Sequence, residues 1–211
     1  MNNFYNLYKN RRAGTFGPST HIQQDIYRAM LVFACAGLDV FIKKLVHDKL
    51  PQLLAYDKNV EERFADFVGR DLRDDKIVSI QRLLALALVN PNPRAPLLER
   101  YLREIAGGSL QSVGAVENVI KASCLESEKI ITTQNRKPLQ EAFGVRNEII
   151  HEMDINVENN APRSRRYRTR RQRSQNTVER HTKAIVGLAI TFFTAYKKVF
   201  VKYSIGVKST G

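Results

Sequence analysis

Apolar positions recur at helical spacing along most of the chain, and no segment shows convincing alternation with a period of two. Thr20, with Gln23 three residues on, has the pattern of a capping box and opens a long helix that Pro51 should end. Inside it, residues 29–38 (Ala-Met-Leu-Val-Phe-Ala-Cys-Ala-Gly-Leu) are apolar nearly all round, as a central bundle helix requires. Residues 60–72 form a charged amphipathic stretch with Phe64, Phe67 and Val68 on one face. Residues 76–89 read as a strong helix stopped by Asn90-Pro91-Asn92-Pro93, and Pro96 to Ala106 as a short one ended by Gly107-Gly108. Val113 to Leu125 follows, with Val116, Val119 and Ile120 apolar, and then a helix with Pro138 at its first position. Periodicity fails over residues 154–176 and returns at Thr177, where Val178, Ile185, Leu188, Ala189, Phe192, Phe193, Tyr196 and Phe200 build a long closing helix. The expected fold is an all-α bundle. Residues 20–153 and 177–203 form its single domain, 1–19 an N-terminal extension, 154–176 an Arg-rich flexible loop and 204–211 a tail.

At 211 residues the chain can bury one sizeable core. Its net charge of +13 calls for an acidic partner: nucleic acid, an anionic membrane surface or an acidic protein. Residues 163–173 hold seven of those positive charges and no acid, which leaves +6 for the rest. That tract (Arg163, Arg165, Arg166, Arg168, Arg170, Arg171 and Arg173, with Tyr167 among them) reads as a flexible arm for RNA phosphates, with Tyr167 able to stack on a base. A localisation signal or a docking arm for a partner protein has the same composition. Cys35 and Cys124 lack paired spacing, so neither a disulfide framework nor a zinc pattern is expected. Nothing calls for a metal or organic cofactor. The N-terminus has no signal-peptide core, and the longest relevant apolar run, Ala184 to Tyr196, is short for a bilayer span. A soluble cytoplasmic protein is the expectation.

One arginine sits out of place. Wound at about 100° per residue, Leu139, Ala142, Phe143, Ile149, Ile150 and Met153 make one stripe, and Arg146 falls at its centre. Asn147 and His151 stack at i,i+4 along its flank. A guanidinium keeps its charge, so burial demands a paired, hydrogen-bonded setting. Asp39, among Cys35, Leu38, Val40 and Ile42, is the candidate partner that would aim Arg146. The other histidines, His21, His47 and His181, show no convergent partners in the sequence.

The Arg146–His151 spacing is weak when taken alone; its context sharpens it. Metal-free RNA cleavage needs a base for the ribose 2′-hydroxyl, an acid for the leaving 5′-oxygen and a cation for the phosphorane. Histidine titrates near neutrality and serves as either proton carrier. Arginine's planar fork suits phosphate oxygens. One copy of the pair is half a site, and a two-fold axis would complete it.

Arg146-Asn147-Glu148-Ile149-Ile150-His151, late in an all-helical chain, resembles the Arg-x4–6-His motif of the HEPN superfamily. The stretch Ser109-Leu-Gln-Ser-Val-Gly-Ala-Val-Glu-Asn118 is similar to the RiboL-PSP-type branch. The resemblance implies a homodimeric, metal-independent endoribonuclease with a composite cleft, of the kind used in toxin–antitoxin or antiphage systems. It would make Arg146 and His151 catalytic and Asn147 a polar support. Met153 stands where HEPN toxins with a nucleotidyltransferase antitoxin carry a tyrosine, so that partner is not implied. Competing readings are a helical RNA-binding or adaptor module without turnover, and a membrane-peripheral protein docked through the tract. In both, Arg146 is a structural arginine and His151 a surface histidine.

Overall fold

The computed structural model describes residues 20–73, 82, 85, 87–152, 154–156 and 169–206. The expected helix over 76–89 lies largely outside that set. The described elements are α1 (His21–Tyr56), α2 (Lys58–Arg73), α3 (Arg94–Ala106), α4 (Val113–Ala122), α5 (Ser127–Ile130), α6 (Thr133–His151), β1 (Ile155–Asn156), β2 (Thr169–Arg170) and α7 (Gln175–Gly206). The all-α expectation holds, apart from the antiparallel pairing of Ile155 with Arg170 and of Asn156 with Thr169.

The caps follow local chemistry. Thr20 and Gln23 form the reciprocal box: the Thr20 amide donates to Gln23 Oε1 at 2.9 Å, and the Gln23 amide to Thr20 Oγ1 at 3.3 Å. Ser112 Oγ accepts the Ala115 amide at 3.1 Å to start α4, and Ser174 Oγ accepts the Thr177 amide at 3.2 Å to start α7. Gly107 closes α3 because a Cβ there would lie 2.3 Å from the Arg103 carbonyl oxygen. Cys124, at φ 50°, turns the chain out of α4 earlier than the apolar pattern suggested.

Two prolines sit where the sequence reading placed helix ends. Pro51 lies inside α1, which runs on to Tyr56, and Pro138 lies inside α6, which starts at Thr133. Proline forfeits one ladder bond and crowds the preceding turn. Here Leu50, Leu53 and Leu54 around Pro51, and Leu139 beside Pro138, are buried, and tertiary packing outweighs that local cost.

The chain divides into two compact units, and α1 and α7 each contribute a segment to both. The first unit (residues 1–38 and 133–188) has Leu31, Cys35, Leu139, Ala142, Ile185 and Leu188 at its core. The second (residues 39–132 and 189–211) buries Ile42, Leu53, Val116, Ile120, Phe192 and Tyr196. In that second unit Tyr101 packs against Phe64 and Phe67, with ring centroids 5.4 and 5.0 Å away. Tyr196 shares a 2.5 Å hydrogen bond with Ser123, and burial pushes its hydroxyl pKa well up.

α7 is longer than its uncharged run implied. By length and composition Gln175–Lys202 is apolar enough to cross a membrane, which the expectation from Ala184–Tyr196 missed. Charged Arg180, Lys183, Lys197 and Lys198 occupy exposed positions along it, while Val178, Ile185, Phe192 and Tyr196 are buried in protein.

Candidate functional site

α6 delivers the motif. Leu139, Ala142 and Phe143 are buried as the stripe required, but beyond them Arg146 and Ile149 are half-buried and Ile150 is exposed, so the stripe leaves the core toward its C-terminal end. Arg146 Nη1 donates to Asn147 Oδ1 at 3.0 Å. Its Nε is buried with no partner among the described residues. A buried donor without an acceptor is costly, roughly 1–3 kcal/mol. The Arg146 charge also reaches Cys35: burial pushes that thiol up to about 11, and Arg146 opposes the rise. Asn147 and His151 are exposed, and His151 is the last helical residue. Among the described residues the His151 side chain makes no hydrogen bond or ion pair, so its ring is open to a ligand. Arg146 and His151 lie about 140° apart around the helix, and the structure joins them through no direct bond.

Asp39 does not serve Arg146. Its Oδ1 accepts the Leu110 amide at 2.7 Å and its Oδ2 pairs with Lys43 Nζ at 2.8 Å, one turn along α1. Both acceptor oxygens are thus engaged within the second unit, and the expected pairing is replaced by a tie to the segment after α3.

Directly after α6 the chain builds something the sequence reading missed. Asp154 adopts φ 56° and is 0 % exposed. Its amide donates to the Glu148 carbonyl at 3.1 Å, and its own carbonyl accepts the Arg171 amide at 2.8 Å. Arg28 of α1 donates to its Oδ2 from Nε at 2.8 Å, and Arg173 Nη2 bonds its Oδ1 in a shorter contact. Arg28 Nη2 continues to the Arg171 carbonyl at 2.8 Å. Gln24 clamps the backbone of Arg173 on both sides, giving its amide N–H to the carbonyl at 2.9 Å and accepting the Arg173 N–H at 2.8 Å. Glu148, on α6 between the motif residues, pairs with Arg173 at 2.6 Å and with Arg171 at 2.7 Å. Burial pushes Glu148 upward, but the hydrogen bonds from Arg173 and Arg171 outweigh it and hold its carboxyl below the usual range.

This lock revises the reading of the Arg tract. Arg171 and Arg173 are neutralised by Glu148 and Asp154, and Arg170 pairs with Asp25 at 2.8 Å. The C-terminal end of the tract is a fixed structural element rather than a free arm. Arg163, Arg165, Arg166, Tyr167 and Arg168 lie outside the described residues.

His181 also has the partner its sequence did not reveal. It is buried, with Nε2 3.3 Å from Glu141 Oε2 and Nδ1 unpartnered. Burial lowers its pKa, against the pull of Glu141. Among the described residues no His, Cys, Asp and Glu group could hold a metal ion.

Compared with known proteins, the chain matches no family model, no curated protein and no solved structure.

Proposed function

We propose that this protein is a metal-independent endoribonuclease of HEPN type, cytoplasmic and active as a homodimer, serving a toxin–antitoxin or antiphage system. The observation that carries the reading is the state of the motif. Arg146 has no carboxylate partner among the described residues, and His151, at the end of the same helix, is exposed with an unbonded ring there. Two copies of α6 facing each other would bring two imidazoles and two guanidinium groups to one phosphate. One His151 takes the 2′-hydroxyl proton while the 2′-oxygen attacks phosphorus. The other protonates the departing 5′-oxygen, and Arg146 neutralises the phosphorane. The products are a 2′,3′-cyclic phosphate and a 5′-hydroxyl. Arg163, Arg165, Arg166 and Arg168 would hold the RNA through its phosphates.

The test is incubation of purified protein with total RNA in EDTA, beside His151→Ala prepared identically. Cleavage by the native protein alone, leaving cyclic phosphate ends, is the expected result. Equal cleavage by both would remove His151 from the chemistry.

The second reading is a helical RNA-binding module without turnover. It is favoured by the burial of Arg146 Nε and the side-on bond to Asn147, which suit a structural arginine. It predicts salt-sensitive RNA binding and intact RNA with both proteins.

A further inference from the structure

The second unit contains a cleft of about 680 Å³ between α2, α3 and α4. That lies within the roughly 300–1,000 Å³ of ordinary small-ligand sites. Its lining mixes polar and charged side chains with the apolar groups of Phe67, Tyr101 and Ile105. A second cleft of about 540 Å³ adjoins it, and Arg63, Asp66 and Lys121 line both.

Arg63, Arg70 and Lys121 line the two clefts with Glu62, Asp66 and Glu104, equal in number, but among the described residues only one cation and one acid of this set pair with each other. Arg70 is paired with Glu104 at 3.5 Å and lies over the Phe67 ring. Among the described residues, Lys121 has no carboxylate partner, and neither does Arg63. Arg63 instead donates from Nε to Cys124 Sγ at 3.1 Å. Cys124 is the residue in the left-handed turn that follows α4. Burial raises the Cys124 pKa, against the opposing charge of Arg63, so at neutral pH the sulfur is a neutral thiol. A thiol fixes one edge of the guanidinium without cancelling its charge. The outer edge of the fork stays open, which is the arrangement that binds a carboxylate or phosphate in a bidentate manner.

We propose that this cleft binds a small organic anion, its phosphate or carboxylate held by Arg63 and Lys121 and its apolar body seated against Ile105 and the accessible edge of Tyr101. Asp66, which has no ion-pair partner among the described residues, is placed to accept from a hydroxyl or amine on the same ligand. The proposal is independent of the ribonuclease reading, because the cleft and the α6 motif share no residue.

Phenyl phosphate is the probe, with benzoate and inorganic phosphate beside it, titrated into the full-length protein by calorimetry. A second readout is labelling of Cys124 by a thiol reagent, since Cys35 is 0 % exposed. Phenyl phosphate should bind saturably, slow Cys124 labelling and outbind inorganic phosphate, which lacks the apolar body. Arg63→Gln and Lys121→Met should each weaken it by about tenfold or more. Arg103→Gln, whose side chain pairs with Glu99 on α3, should leave it unchanged. Benzoate binding more tightly than phenyl phosphate would name carboxylate as the head group and still support the site. Failure of both organic anions to bind or to protect Cys124 would overturn the proposal, as would binding that neither variant at the junction alters.

Discussion

Arg28 and Arg146 occupy equivalent places in the sequence and opposite places in the chemistry. Gln24, Arg28, Leu31, Cys35, Leu38 and Ile42 fall on one buried stripe of α1, so Arg28 heads an apolar row, as Arg146 lies in that of α6. Arg28 is 8 % exposed and meets the buried carboxylate of Asp154. Arg146 is half-buried and, among the described residues, hydrogen-bonds only the neutral amide of Asn147. An arginine on an apolar stripe announces that some anion belongs there. Whether the chain itself supplies that anion separates a structural arginine from one available to a ligand.

The sharpest way to break the comparison is to remove the internal anion. Asp154→Ala leaves buried Arg28 with only the exposed Asp25, 3.2 Å from its Nη1, as counter-charge, and strips Arg173 of one of two carboxylates. Loss of one partner of a buried ion pair costs about 3–5 kcal/mol. For a chain of this length each kcal/mol shifts Tm by about 2–4 °C. Thermal unfolding should therefore move down by on the order of 10 °C. A shift of only one or two degrees would mean that water reaches Arg28 and that the lock is weaker than its geometry.

Arg146 should answer in the opposite sense. Arg146→Leu deletes a buried donor without an acceptor and completes the apolar row, so stability should rise by about 1 kcal/mol. The same substitution should abolish RNA cleavage, whereas His151→Ala, at an exposed helix end, should stop cleavage with stability changed by less than about 0.5 kcal/mol. Denaturant titration of the three proteins decides it. Destabilisation by Arg146→Leu would show that Arg146 is held by an anion within the protein and belongs with Arg28.

The fold was legible because helical periodicity and caps are local: Thr20, Gln23, Phe64, Phe67 and most of the α7 stripe behave as their spacing dictates, though Phe193 of that stripe stays exposed. The proline boundaries were not, since the packing that carries a helix through Pro51 or Pro138 is tertiary. The row containing Arg146 was visible, and the same test applied to Arg28 would have exposed the second arginine. Its partner was hidden because Asp154 follows α6 as an ordinary polar residue and becomes buried only through a left-handed turn and residues 171–173. Asp39 shows the converse. Its partial burial was readable from Cys35, Leu38 and Ile42, although Val40 is exposed, but the groups that satisfy it, Lys43 and the Leu110 amide, include a backbone donor 71 positions away. Composition made the Arg tract look uniform, and only the acids Asp25, Glu148 and Asp154 divide it.

The smallest effect refines the comparison through pH. Glu148 has a folded pKa below its ordinary 4.5, so its contribution is complete above that value and is lost as pH falls through the depressed one. His181 is a base whose folded pKa lies below its ordinary 6.5 because burial disfavours the imidazolium. The unfolded chain therefore takes up the proton first, and stability declines as pH drops below 6.5 until the folded ring also protonates. Stability measured from pH 7.5 to 4 should show two limbs. His181→Gln should flatten the upper one and Glu148→Gln the lower one. Because Glu148 is a third exposed, its limb reflects a solvent-weakened pair and should be shallow. If Glu148→Gln instead removed as much stability at neutral pH as Asp154→Ala, the two acids would be equal members of the lock. The line between the buried anion and the exposed motif would then run through α6 itself, at Glu148, rather than beyond its end.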